Sequence, residues 1–70
     1  QMTTYTVRYT KVFTPDSTLA GLEYPEVETG LSMAQADRVW EWAQAHEAKP
    51  VKAYGSSNYT VANCTVEPSN

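Results

Sequence analysis

Seventy residues with a formal charge of −3 leave room for one small domain and not for two. Apolar residues make up 41% of the chain and charged residues 19%, which argues against disorder. The single Cys closes no internal disulfide, and a chain this short buries only about 60% of its unfolded surface, so a few large side chains must carry the core.

The first element in the chain is a strand over Tyr5–Phe13. Tyr5, Val7 and Tyr9 alternate with Thr6, Arg8 and Thr10, the period of two expected of aromatic and β-branched residues on a half-buried sheet. The alternation breaks at Lys11-Val12, where a bulge or a fraying end is expected. Thr14-Pro15-Asp16-Ser17-Thr18 is a turn, because Pro fixes φ and the Asp and Ser side chains satisfy the local backbone. The connection to Leu22 is long for a tight hairpin and predicts a flexible tip. Leu22–Glu28 reads as a second strand. Pro25 cannot donate to a ladder, so this strand belongs at an edge or carries a bulge.

A helix follows from about Met33 to Ala48. Ser32 is its N-cap, Gln35 completes a capping box, Leu31 can staple onto Ala36, and Pro50 stops propagation. At about 100° per residue, Met33, Ala36, Val39, Trp40 and Ala43 share one apolar stripe, with Asp37, Arg38, Glu41 and Ala45 opposite. Trp40 is thereby assigned to the core. Trp42 falls outside the stripe, as a rim residue with Arg38 stacked on it or as an exposed anchor for a partner.

Val51–Tyr54 reads as a short strand and Gly55-Ser56-Ser57-Asn58 as a turn. Tyr59–Val66 reads as a last strand, with Tyr59 and Val61 on one face and Ala62, Cys64 and Val66 on the other. Apolar residues on both faces predict a central place in the sheet. The expected fold is α+β: a two-layer ββαββ domain over residues 2–67, an antiparallel sheet with one helix on one face, and residues 68–70 as a disordered tail. Gln1, ahead of Met2, reads as an expression remnant and is left out of the domain.

Few residues offer reactive chemistry. Cys64 and His46 are the one thiol and the one imidazole, and a nucleophile needs both a nearby base and a group to orient it. A lone strand Cys more often serves as a small buried apolar residue, and His46 suits the negative end of the helix. Zinc requires about four ligands, which one Cys and one His do not supply, and neither a calcium loop nor a Gly-rich phosphate loop is present. The chain therefore reads as a non-enzyme with no metal and no cofactor. Asn58-Tyr59-Thr60 and Asn63-Cys64-Thr65 match the short glycosylation triplet, which chance explains as well.

Charge is more informative. Within residues 21–50, Glu23, Glu26, Glu28, Asp37, Glu41 and Glu47 face only Arg38 and Lys49, while the five bases of the chain are scattered. A phosphate backbone selects clustered Lys and Arg, so nucleic acid is an unfavoured partner. The expected function is a protein-binding module that sets an acidic surface against the basic, nucleic-acid-binding surface of a larger partner. Its candidate residues are Glu23, Glu26, Glu28, Asp37 and Glu41, with Trp42 as an anchor. This profile of a tiny, acidic domain without a catalytic set is similar to that of small phage proteins that block host machinery, anti-CRISPR proteins among them. The alternatives are a single-stranded nucleic-acid binder using Tyr5, Tyr9 and Tyr59 on an open sheet face, with Arg8 and Lys11 on phosphates, and assembly through an exposed strand edge. With no basic leader and no run of about 20 apolar residues, the expected location is the cytoplasm, away from membranes.

Overall fold

The computed structural model describes residues 2–53 and 57–69. Its elements are β1 (Tyr5–Phe13), β2 (Glu23–Leu31), α1 (Met33–Ala45) and β3 (Tyr59–Pro68), an α+β arrangement in the order ββαβ. Among the described residues the sheet has three strands, antiparallel throughout, in the order β2-β1-β3. The fourth strand expected at Val51–Tyr54 is reduced to one bridge. Val51 donates to the Tyr59 carbonyl at 2.7 Å and accepts the Tyr59 amide at 3.2 Å. Pro50 before it has no N–H, Lys52 and Ala53 pair with nothing in the ladder, and Tyr54 lies outside the described residues, as do Gly55 and Ser56 of the expected turn.

The alternation in β1 runs unbroken through Phe13, with no bulge at Lys11-Val12. The two irregularities sit in its neighbours. In β2, Tyr5 pairs with Leu31 but Val7 with Glu28, so one extra residue is accommodated where Gly30 takes φ +70°. In β3, Arg8 pairs with Thr65 but Thr10 with Ala62, and Asn63 absorbs the extra residue at φ +57°. The strand order corrects the expected central position of β3, which is an edge strand beside the central β1. Val61 and Val66 sit opposite Lys11 and Val7, so both lie on one face, although their parity differs. The even parity of Val66 reflects that shift of phase, whereas Ala62, before the bulge, stays on the opposite face.

Directly opposed residues share a face. One face therefore carries Val7, Tyr9, Lys11 and Phe13 of β1 with Tyr24, Glu26 and Glu28 of β2 and Tyr59, Val61 and Val66 of β3. The other carries Thr6, Arg8, Thr10 and Val12 with Glu23, Pro25, Val27, Thr60, Ala62 and Thr65. The helix lies on the first face, where Val7, Ala36, Ala43 and Val61 form the buried apolar core. Small residues on α1 let its backbone approach the strands closely.

A 13-residue helix spans about 20 Å and a nine-residue strand about 30 Å, so α1 cannot cover its face end to end. Beyond it Phe13 packs edge-on against Tyr24 and Tyr59, with ring centroids 5.9 and 5.7 Å apart. The connection between β1 and β2 is a chain of turns rather than a loose tip. Ser17 donates to Thr14, Ala20 to Ser17 and Leu22 to Leu19, while the buried Ser17 hydroxyl accepts the Leu19 amide at 3.1 Å. At the other end the ladder runs past residue 67. Pro68 pairs with Tyr5, the Ser69 amide donates to Thr4, and the Ser69 hydroxyl bonds that of Thr6 at 3.0 Å. Asn70 lies outside the described residues.

Candidate functional site

The capping box forms as the residue types require. The Gln35 amide donates to Ser32 Oγ at 3.2 Å, and the Ser32 amide donates to Gln35 Oε1 at 2.9 Å. The helix ends at Ala45, three residues before the expected Ala48, because His46 turns the chain onto β3. Its amide reaches Trp42 and Ala43, its carbonyl accepts the Val61 amide, and its ring Nδ1 donates to the Lys49 carbonyl at 2.8 Å. Lys49 thus meets the helix end through its backbone.

These anchors set the rotation of α1 and correct the expected stripe. Ala36 and Ala43 are buried and Val39 is half-buried as expected, but Met33 is 61% exposed and Trp40 43%. The stripe is rotated toward Val39, Trp42 and His46. Trp42 is the half-buried indole, edge-on to Tyr9 with centroids 5.4 Å apart and planes at 67°, and 5.4 Å from the His46 ring. The two Trp residues, about 200° apart, flank the stripe, and docking on Tyr9 selects Trp42.

Next to this pair is a hollow of about 250 Å³ at the β2 side of the helix, lined by Tyr9, Glu28, Arg38, Val39 and Trp42. Burial and then the Glu28 charge push the Tyr9 phenol above its ordinary value. Arg38 borders the same space as Trp42, one helical turn away.

The candidate carboxylates do not form one patch. Glu28 joins Trp42 at the hollow. Glu26 lies on the same face but is held by Lys11, with Nζ 2.9 Å from Oε2. Glu23 sits on the bare face opposite Val12. Asp37 and Glu41 are exposed on α1 away from the sheet. Among the described residues the ion pairs are Lys11–Glu26 and Arg8–Glu67, the latter with Nε 3.2 Å from Oε1.

The tyrosines are not on the open face. Tyr9 packs against Trp42, and Tyr59 packs against Phe13 with Lys11 Nζ 5.0 Å from its ring centre. The bare face is a field of threonines with Val12, Val27 and Ala62, because the odd positions of β1 point toward the helix. Arg8 and Lys11, the expected phosphate contacts, each hold a carboxylate.

Cys64 is a half-buried free thiol in the β3 bulge, its value raised by burial and then by Glu47. His46 spends its Nδ1 proton on the Lys49 carbonyl. Among the described residues no three His, Cys, Asp or Glu are placed to hold a metal ion, and no helix is long and apolar enough to cross a membrane. Of the two glycosylation triplets, Asn58 is half-buried and its carbonyl accepts the Thr14 amide, whereas Asn63 is exposed at the bulge.

Sequence reasoning singled out Glu28 and Trp42 as partner-binding residues and set Arg38 beside Trp42, but it put Val39 only in the apolar stripe and Tyr9 only on an open nucleic-acid face. Arg38, Val39 and Trp42 sit one turn apart, so the helical half was readable from spacing. The approach of Tyr9 and Glu28 depends on strand register, which the sequence does not display. Comparison with known protein families, curated proteins and solved structures finds no match to this chain.

Proposed function

We propose that this protein is a non-enzymatic protein-binding module that sets its acidic surface against a basic, nucleic-acid-binding surface of a larger partner, in the manner of a small phage or mobile-element inhibitor. The observation that carries this reading is the unpaired charge, among the described residues, of four candidate carboxylates, three of them (Glu28, Asp37 and Glu41) on the helix-bearing side and Glu23 on the opposite face. Glu23, Glu28, Asp37 and Glu41 are exposed and take part in neither ion pair found among the described residues. Such groups repel one another within a chain of net charge −3, and an opposing field of Lys and Arg relieves that repulsion. Long-range attraction of this kind raises the association rate and favours partners of opposite charge. Trp42 supports the sheet through Tyr9 while its outer edge borders the hollow, so it belongs to the fold and to the contact surface together.

The test is affinity capture from the native cell context with the wild-type chain and with a Glu28→Lys/Asp37→Lys/Glu41→Lys variant, which leaves the Lys11–Glu26 pair intact. The reading expects a basic nucleic-acid-binding protein held by the wild type, displaced by salt or by heparin, and lost with the variant. Capture of the same protein by both chains removes the acidic-surface mechanism.

A further inference from the structure

The hollow beside Trp42 combines features that an acidic surface alone does not. Two aromatic rings meet at a steep angle, one carboxylate stands at the strand edge, and Val39 completes an apolar wall. Its volume, about 250 Å³, falls below the ~300–1,000 Å³ of pockets that hold drug-sized ligands, so it suits a single side chain. Aromatic faces with a carboxylate attract a planar cation that stacks and donates hydrogen bonds at once. Guanidinium meets both demands, whereas ammonium is a compact, strongly hydrated charge that stacks poorly.

We propose that the hollow lined by Tyr9, Glu28, Arg38, Val39 and Trp42 receives an arginine side chain of the partner, with its guanidinium against the rings and hydrogen-bonded to Glu28. This rests on the acidic-surface reading and names the residue type that reading leaves open. Glu28 is available for the role, since it is exposed and belongs to neither ion pair found among the described residues. Burial and then Glu28 push the Tyr9 phenol up, with Lys11 opposing them, which fits a partly dry wall facing a carboxylate. Arg38 also borders the hollow and is exposed. Its charge opposes an incoming cation, so it lowers affinity and must swing outward on binding. Glu28 and Arg38 therefore act with opposite sign.

The test is a titration of the folded protein with the capped peptide acetyl-Gly-Arg-Gly-amide, followed by Trp fluorescence and by backbone amide shifts. The lysine and citrulline analogues are run alongside. Shifts centred on Tyr9, Glu28, Val39 and Trp42 are expected for the arginine peptide, weaker ones for lysine and none for citrulline. Glu28→Gln weakens binding by roughly threefold or more, and Arg38→Ala strengthens it by a similar factor. Both positions are exposed, so both variants fold. Equal shifts from citrulline, a lysine peptide that binds as well as arginine, or an Arg38→Ala variant that binds less overturns the proposal; the last points to a zwitterionic ligand. Cellular capture retained by Glu28→Gln but lost with Asp37→Lys/Glu41→Lys overturns the arginine site and leaves the acidic-surface reading standing.

Discussion

The backbone carbonyl of His46 accepts the Val61 amide at 2.9 Å, which ties the end of α1 to a buried residue of the edge strand β3. The same residue packs its ring at a tilt against Trp42 and donates from Nδ1 to the Lys49 carbonyl. His46→Ala keeps the backbone tie and loses both ring contacts. A loss of about 1 kcal/mol in urea unfolding is expected, with faster amide exchange in residues 46–51.

Trp42 and Trp40 separate in the same assay. Trp42→Ala removes the edge contact with Tyr9 and leaves a gap where the half-buried indole packed, costing about 2–4 kcal/mol. Trp40→Ala removes a side chain that is 43% exposed and costs roughly 1 kcal/mol or less. Equal losses from the two substitutions contradict the observed rotation of the helix.

Ser32→Ala abolishes one arm of the capping box and leaves the Gln35 amide without its acceptor. About 1 kcal/mol is expected from thermal or urea melts. Ser32→Asp restores an acceptor at the positive end of the helix and recovers most of the loss.

Asn63 stands at φ +57°, where Gly is at ease and a β-branched residue is strained. Asn63→Gly is expected to be neutral or slightly stabilising, and Asn63→Val to cost about 1–2 kcal/mol. Gly30→Ala isolates the backbone contribution, because an added Cβ meets nothing within 4 Å while φ stays at +70°. Its cost, roughly 1 kcal/mol, is conformational alone.

Cys64 and Asp16 give opposite pH dependences. Burial, and then Glu47, raise the Cys64 thiol, so the folded chain holds this proton more tightly than the unfolded one. That contribution is full below the unfolded thiol value of about 8.5 and is lost as pH rises through the folded value. The alkylation rate of the folded protein should climb at higher pH than that of the urea-unfolded chain. A hydrogen bond from the Thr14 hydroxyl holds Asp16 below the ordinary carboxylate range. Its contribution is present above about pH 3.9 and is lost as pH falls through the folded value. A carbon-detected titration of the Asp16 carboxyl, with and without Thr14→Val, reads it directly.

Local chemistry was legible in the residues themselves. Ser32 and Gln35 announced the start of the helix, alternation marked β1, and Pro25 placed β2 at an edge, because each signal is complete within a few consecutive residues. Strand order, the phase of β3 and the choice between Trp40 and Trp42 were decided only by assembly. A single bulge at Asn63 moves Val66 to the face of Val61, and nothing in the local pattern marks that insertion until β1 lies alongside. The helical stripe is equally degenerate. Ala36 and Ala43 fit rotations that bury either indole, and docking on Tyr9 together with the His46–Val61 bond selects one. The candidate residues divide in the same way, since carboxylates can be counted along the chain, but which of them meets an aromatic wall depends on register between strands that are distant in sequence.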